Sequence, residues 1–149
     1  MSKYNNNKVV HGGITFDSAD ERDYYLFLLD MQDKGILKII KLQPTIELLP
    51  KFEKHGKRYQ AITYTPDFLV EYAEDKRRVY IDFKGFETQQ SVLRRKLFAY
   101  EVEEELLWIA KSKKYSETGF INYDTLKELR KKNKKQKVYN DQKQGVMSF

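Results

Sequence analysis

The chain has 149 residues, no cysteine and only two histidines, and its 28 Lys and Arg against 22 Asp and Glu give a net charge of +6. This composition excludes disulfides and thiolate metal sites, and it disfavours a histidine-based zinc site because His11 and His55 lie far apart. No apolar run approaches the roughly 20 residues that cross a bilayer, and no signal peptide is visible, so we expect a cytoplasmic protein. The positive charge favours a polyanionic partner.

The N-terminal part predicts a polar arm followed by a helix. Residues 1–13 are polar, and Ser18 with Glu21 three positions later is the pattern of a capping box. The helix should start there and end before Gly35. Glu21 lies two turns before Leu28 on the apolar stripe, so it faces the same side as the core residues. Completing the cap is one role for Glu21, and its place on the stripe favours a second role in a site.

The next stretch is apolar and then basic. Residues 36–49 are rich in β-branched side chains and predict one or two strands, with Pro44 at a bend. Residues 51–58 predict a basic loop, and residues 59–64 predict the start of another strand.

The middle of the chain predicts a β-hairpin. Residues 68–72 and 79–84 alternate apolar and polar side chains, which is typical of half-buried strands. If residues 74–75 form a two-residue loop, the numbers of paired residues sum to 149. This register puts the apolar side chains on one face, and it places Asp67 opposite Asp82 on the other.

Two opposed carboxylates indicate a cation site. Directly opposed residues have Cβ atoms about 4.5–5.5 Å apart, so Asp67 and Asp82 repel each other unless a cation lies between them. Mg²⁺ is usually held by one or two carboxylates, by waters and by substrate phosphate. Lys84 points to the same side, where it can orient a water or stabilise developing charge. The pattern predicts a metal-dependent nuclease site; the alternative is an ordinary solvated hairpin face.

The C-terminal half predicts two helices and a strand. Residues 90–104 form the first helix, whose inward stripe is bordered by Lys96, while Arg94 and Arg95 lie further round and are more exposed. The expected stripe consists of Leu93, Leu97 and Tyr100. The apolar run at 106–110 predicts a strand covered on both faces. Asn122 or Asp124 is the predicted cap of the last helix, which should end near Lys132.

The predicted organisation is one domain, residues 14–132, between the arm and a tail. The tail, residues 133–149, is basic and is expected to be disordered. The charge run from Lys131 to Lys137, which leads into the tail, is usually only solvated. In a chain that handles nucleic acid this run, with Lys131 and Lys132, would add phosphate affinity that is independent of sequence.

The ordered set of motifs resembles the PD-(D/E)XK nuclease superfamily. The residues that carry this resemblance are Glu21, Pro66-Asp67 and Asp82-Phe83-Lys84. Strings at 13–18, 42–44, 61–68, 82–86 and 94–98 look similar to a phage-encoded endonuclease-like or Holliday-junction-resolvase-like family, over roughly residues 3 to 110. The order of Glu, Gln-Pro, Pro-Asp and Lys is also similar to that of transposon end-cleaving nucleases.

The resemblance implies an α/β (α+β) fold with a restriction-endonuclease-like core, in which a mixed central β-sheet is flanked by helices in the order αβββαβ. It implies that Asp67 and Asp82 bind Mg²⁺ or Mn²⁺, with Glu21 as an auxiliary acid. Lys84 would be the lysine of the motif. Lys96 would be the further basic residue that many relatives place near the site.

The function implied is that of a divalent-metal-dependent DNA endonuclease in phage recombination, replication or packaging. Branched DNA is the expected substrate, and a homodimer is expected because resolving a junction needs two cuts. The residues predicted to contact DNA are Lys96, Arg94, Arg95, Lys131 and Lys132. Neither a membrane nor a small-molecule substrate is expected. The alternatives are a catalytically silent DNA- or protein-binding module on the same fold and an RNA-binding protein. The RNA-binding reading ranks last because most of the abundant aromatic residues lie at core periodicity.

Overall fold

The structure, a computed structural model, describes residues 7–147, with side chains described to residue 144. It is α+β, with a mixed central sheet and, within the described range, three helices. The helices are α1 (Ala19–Asp33), α2 (Gln89–Glu101) and α3 (Tyr123–Met147). The strands are β1 (Val9–His11), β2 (Ile14–Phe16), β3 (Leu37–Leu42), β4 (Ile46–Leu49), β5 (Phe52–Lys54), β6 (Lys57–Tyr59), β7 (Ile62–Tyr64), β8 (Phe68–Tyr72), β9 (Arg78–Phe83), β10 (Glu105–Lys111) and β11 (Phe120–Asn122). None of the described helices combines the length and hydropathy that a bilayer crossing needs.

The chain divides into two compact units, the first ending at Leu107 and the second beginning at Trp108. The predicted domain bounds, 14 to 132, stay a prediction.

The first unit opens with a hairpin where a loose arm was expected. β1 pairs antiparallel with β2 through Gly12 and Gly13, whose φ angles of 57° and 80° suit glycine. The prediction of an arm is therefore wrong for residues 9–13, and residues 1–6 lie outside the described residues.

Helix α1 begins as predicted. Ser18 Oγ accepts a hydrogen bond from the backbone N–H of Glu21 at 3.1 Å, and Gly35 follows the helix with a φ of 73°. The carboxylate of Glu21 accepts from the backbone N–H of Asp17 at 3.1 Å, so its role at the cap differs from that in a capping box. The buried residues of α1 are Glu21, Tyr24 and Leu28. Glu21 therefore lies on the inward stripe, as the spacing predicted.

The central hairpin has the predicted register. Residues 68–71 of β8 pair with residues 78–81 of β9 so that partner numbers sum to 149. The loop is longer than expected, because residues 73–76 form it and the backbone N–H of Tyr72 donates to Arg77 O at 2.9 Å. β3 pairs antiparallel with the other edge of β8, which places β8 between β3 and β9.

The strands before this hairpin form two further pairs. β3 and β4 are separated at the buried Pro44, as expected, and β4 pairs antiparallel with β7. The predicted basic loop at 51–58 is instead a hairpin of β5 and β6. His55 and Gly56 form its turn with φ angles of 51° and 74°, a geometry that matches the twist of the two strands.

Helix α2 turns a different face inward from the one predicted. Phe98 is 1% exposed, and its ring lies 5.8 Å from that of Tyr64 and 5.3 Å from that of Tyr80. Leu93 and Tyr100, expected on the inward stripe, are 54% and 85% exposed. The predicted stripe is therefore wrong for Leu93 and Tyr100, whereas Leu97 is half-buried and packs against the same core cluster as Phe98. The inward face is set by Phe98, whose ring fills the space beside Tyr64 and Tyr80.

The second unit is built on the antiparallel pair of β10 and β11 with α3. The ring of Trp108 packs edge-on against that of Tyr123, with centroids 5.8 Å apart. Asn122 Oδ1 accepts from the backbone N–H of Asp124 at 3.0 Å and caps the helix. The helix does not end near Lys132, and the described part of the predicted disordered tail is helical. The reason is its composition, since Lys, Arg and Gln are good helix formers.

The cap at Asn122 gives a first prediction. Asn122→Ala removes the acceptor for the N–H groups of Asp124 and Thr125 and should lower the free energy of unfolding of the second unit by about 1 kcal/mol. Thermal unfolding followed by circular dichroism at 222 nm measures this loss. Asn133→Ala, at an exposed position inside α3, should be neutral or slightly stabilising, and equal losses in both variants would contradict the role of the cap.

Candidate functional site

An open cavity of about 690 Å³ in the first unit collects the predicted site residues. The start of α1, the end of β7, the residue before β8, the end of β9 with the loop after it, and the first two turns of α2 form its wall. The charged side chains on the wall include Glu21, Asp67, Asp82, Lys84 and Arg94.

Three carboxyl groups meet in this cavity. The carboxyl group of Asp67 lies close enough to those of Asp82 and Glu21 to interact with both. Glu21 and Asp82 are 5% and 7% exposed. Carboxyl groups this close repel one another when they are ionised, and burial adds to the cost, so the ionised form of Asp67 is disfavoured at neutral pH even with Lys84 beside Asp82.

The electrostatics of the cluster follow from burial. Burial raises the pKa of Asp67 well above its usual value, and the negative charge of Asp82 raises it further. The backbone N–H of Phe83, which donates to Asp67 Oδ2 at 2.7 Å, acts in the opposite direction. Burial also raises the pKa of Glu21, although its hydrogen bonds with Asp67 and the Asp17 backbone lower it.

Asp82 is held by two donors on one oxygen. Lys84 Nζ lies 2.8 Å from Asp82 Oδ2, and Tyr64 donates its hydroxyl hydrogen to the same atom at 2.5 Å. Both donors are largely screened from solvent, with the Lys84 side chain 18% and Tyr64 6% exposed. These contacts fix the orientation of the Asp82 carboxyl beside Asp67.

The basic residues of α2 are arranged differently from the prediction. Arg94 is half-buried and lines the cavity, whereas Lys96 is exposed and lies on a separate shallow cleft. Arg95 is half-buried and away from the cavity wall. The expected exposures are therefore reversed, because Phe98 faces inward and Arg94, four residues earlier, shares its side of the helix.

Sequence reasoning missed Tyr64 and the position of Arg94. Strand alternation could have indicated Tyr64, because residues two apart on a strand face the same side. Tyr64 and Pro66 are two residues apart, and both are buried. The signal for Arg94 was its spacing from Phe98, which becomes informative only once the inward face of α2 is known.

The donor set of the cavity fits a hard divalent cation. It offers carboxyl oxygens without nitrogen or sulfur ligands, the chemistry that suits Mg²⁺ and Mn²⁺. As the side chains stand, residues 7–147 contain no group of three or more His, Cys, Asp or Glu arranged to hold a metal ion. One or two carboxylates with waters and phosphate are the usual set for Mg²⁺, so Asp67 and Asp82 are the residues that would hold such an ion.

The second unit carries a basic cleft of its own. Arg130, Lys134 and Lys137 recur at helical spacing on one face of α3 and line a cleft of about 340 Å³ together with Lys114. The remaining lining residues, Ser112, Tyr115 and Asn133, are uncharged. Of the two lysines predicted to bind nucleic acid, Lys131 lines a neighbouring cleft and Lys132 lines neither.

The raised pKa of Asp67 predicts how stability depends on pH. A carboxyl group whose pKa is higher in the folded than in the unfolded chain stabilises the fold below its unfolded value, near 3.9, and this contribution is lost as pH rises. In metal-free buffer, Asp67→Asn should therefore gain stability relative to wild type from pH 5 to pH 8. Each kcal/mol gained raises Tm by about 2–4 °C.

Differential scanning fluorimetry across this range, with a chelator present, measures the change. The amide side chain introduced by Asp67→Asn retains an oxygen to accept from the Phe83 N–H, so the local backbone keeps its partner. Asp33→Asn, at an exposed position on the last turn of α1, should follow the wild-type curve. If the difference in Tm between Asp67→Asn and wild type is the same at all pH values, the predicted charge repulsion is contradicted.

The comparisons with known proteins identify a family. No curated protein sequence matches the chain. Residues 1–117 match a family model whose description is "Protein of unknown function (DUF1064)". The matched range includes α1, the central hairpin and α2, and with them all the residues that line the carboxylate cavity. Because this match covers more than half of the chain, the protein belongs to the DUF1064 family.

Proposed function

We propose that this protein is a divalent-metal-dependent endonuclease that hydrolyses phosphodiester bonds of DNA. The observation that carries the proposal is the contact between Asp67 and Asp82 at the end of one hairpin, with Lys84 bound to Asp82 in the same open cavity. A buried acid pair beside a lysine is costly to maintain, which favours a functional role over a purely structural one.

The finer description of the fold is part of the same proposal. Helix α1, strands β3, β8 and β9, helix α2 and strand β10 follow one another in the order expected for a restriction-endonuclease-like core. Glu21 lies on α1, Asp67 directly precedes β8 and Asp82 lies near the end of β9, which are the positions that the resemblance implies. This agreement of element order and residue position supports the PD-(D/E)XK assignment.

The chemistry follows from the side chains in the cavity. Asp67 and Asp82, with Glu21 beside them, would hold Mg²⁺ or Mn²⁺, which when bound polarises a phosphate and lowers the pKa of a water. The Lys84 ammonium group would orient the attacking water or stabilise charge on the phosphate oxygens. Arg94, at the cavity wall, can donate two parallel hydrogen bonds to a phosphate.

DNA is the proposed partner because the chain is basic and the cations of the second unit are grouped. The net charge is +6, and the cleft lined by Arg130 and Lys134 presents four cations with uncharged neighbours. Such a surface binds phosphates without reading base sequence. The expected homodimer, phage context and cytoplasmic location stay predictions.

A second candidate function is a binding module without catalysis. The observation that favours it is the internal satisfaction of the cluster, since Asp82 Oδ2 already accepts from Tyr64 and Lys84. In that case the cavity would bind no metal, and the protein would act only through its basic surfaces.

Asp82→Asn separates the two candidates. The variant keeps the size and shape of the side chain but removes one negative charge, so a nuclease should lose metal-dependent cleavage by about 10²-fold or more. DNA binding should be retained because it depends on the basic surfaces. The measurement is cleavage of labelled linear, flapped and four-way DNA in Mg²⁺ and in Mn²⁺.

Asp33→Asn is the matched control, since it removes the same charge at an exposed position of α1. It should cleave as wild type does. Equal cleavage by Asp82→Asn and wild type would assign the activity to another site. An absence of cleavage by wild type on every DNA form and with both ions would favour the binding module.

The basic cleft gives a prediction about salt dependence. The triple variant Arg130→Gln/Lys134→Gln/Lys137→Gln should weaken DNA binding and reduce the slope of log K against log salt by up to about 2.7, because each phosphate contact contributes about 0.9. Anisotropy titrations between 50 and 200 mM NaCl measure the slope.

The control removes the same charge from other positions of α3, as Lys131→Gln/Lys132→Gln/Lys135→Gln. If the cleft is the binding surface, this control should change the slope by less than one unit. Equal changes in the two triple variants would show that α3 attracts DNA as a diffuse charge, without a defined surface.

A further inference from the structure

Residues 50–60 form a projecting segment, which we call the basic arm. Every residue from 49 to 60 is exposed, and β5 and β6 are paired along the arm with a two-residue turn at His55 and Gly56. Its four cations are Lys51, Lys54, Lys57 and Arg58. The single acid, Glu53, lies at 4.0 Å from Arg58, so the arm has a net positive charge.

Two aromatic rings lie exposed on this arm. Phe52 and Tyr59 are cross-strand partners whose rings are stacked, with centroids 4.8 Å apart and planes 11° from parallel. They remain 43% and 40% exposed, and Lys57 Nζ lies 5.2 Å from the centre of the Tyr59 ring. The pair stabilises the hairpin, but large ring surface is left in solvent beside the cations.

The arm is connected directly to the carboxylate cavity. β4 and β7 pair with each other and lead into and out of the arm, and Thr63, Tyr64 and Thr65 line the cavity. Eight residues separate Gly56 from Tyr64, a length of at most about 26 Å at 3.3 Å per residue. That reach corresponds to about eight base pairs of duplex at 3.4 Å each.

We propose that the basic arm binds DNA at a place where the faces of bases are uncovered, such as the open centre of a four-way junction or a flap. The paired rings of Phe52 and Tyr59 stack on an exposed base, while the arm's cations contact the neighbouring phosphates. This inference rests on the proposed nuclease function and narrows its substrate to DNA with unstacked bases.

The chemistry of the arm selects this partner. Bases inside a duplex already cover one another's faces, whereas a base with an uncovered face gains from stacking on an aromatic ring whatever its identity. The cations provide phosphate affinity without sequence preference. Positive charge and exposed rings on one rigid hairpin therefore complement a polyanion with free base faces.

The test compares two probes with the full-length protein in a chelator, so that no cleavage occurs. Both probes carry fluorescein. One is a four-way DNA junction, and the other is a blunt duplex with the sequence of one of the four branches of the junction. Phe52→Thr/Tyr59→Thr keeps side chains that favour strands but removes both rings. It should weaken junction binding about tenfold and change duplex binding by less than about twofold.

The control exchanges the rings as Phe52→Tyr/Tyr59→Phe, which keeps the stacked pair and should bind both probes as wild type does. Lys54→Gln/Lys57→Gln/Arg58→Gln should weaken the binding of both probes and reduce the slope of log K against log salt. Unchanged junction binding by Phe52→Thr/Tyr59→Thr would overturn the inference, and so would equal losses on the two probes. No binding of either probe by wild type would overturn it as well.

The outcomes for the arm and for the nuclease are separable. If the arm variants bind both probes as wild type does while Asp82→Asn abolishes cleavage, the arm proposal fails and the nuclease stands. If the aromatic variant loses junction binding while wild type cleaves no DNA in Mg²⁺ or Mn²⁺, the nuclease proposal fails and the arm remains a DNA-binding element.

Discussion

The repulsion between buried carboxyl groups at the end of the central hairpin is the constraint on which the site depends. Asp67 and Asp82 are brought together because the centre of the opposite face of β8 and β9, formed by Phe68, Val70, Val79 and Ile81, is buried. Slipping β8 by one residue against β9 would turn Val70, which is 0% exposed, away from the face that it shares with Val79, also 0% exposed. Hydrophobic burial on one side of the hairpin therefore forces the acids together on the other.

The surrounding contacts reduce the cost of this arrangement without removing it. Lys84 and Tyr64 donate to Asp82, and the backbone N–H of Phe83 donates to Asp67. Helix α1 nevertheless adds a third acid, since the cap at Ser18 fixes the start of the helix and turns Glu21 inward. A structure selected for stability alone would hold fewer acids here, and this excess of negative potential is what a divalent cation would neutralise.

The sequence was sufficient for the parts of the fold that depend on periodicity. The start and end of α1 and the register of the central hairpin follow from a capping residue, a terminal glycine and two alternating strands. Asp67 and Asp82 could be paired in advance because register alone decides which residues face each other. The inward face of α2 could not be predicted in this way, because Leu93, Leu97 and Tyr100 also have helical spacing. Phe98 faces inward because its ring packs against the rings of Tyr64 and Tyr80, which lie on other elements.

Charged segments were the other source of error. The hairpin of residues 52–59 was expected to be a loop because its lysines mask the alternation of its strands, although the His55-Gly56 turn is visible in the sequence. Residues 133–147 were expected to be disordered because of their charge, although they contain good helix formers and no glycine before Gly145. In both segments the charged composition suggested irregular structure. The backbone preferences of the residues, for a tight turn in one segment and for a helix in the other, determined the structure instead.

The most direct test of the central claim is calorimetric titration of Mn²⁺ into the protein at pH 7.5 in two buffers that differ in their enthalpy of ionisation. If a cation relieves the repulsion between Asp67 and Asp82, about one ion should bind per chain with release of protons, because the carboxyl groups must ionise to bind it. The release should disappear in Asp67→Asn. Binding without proton release, or no binding at millimolar Mn²⁺, would contradict the account.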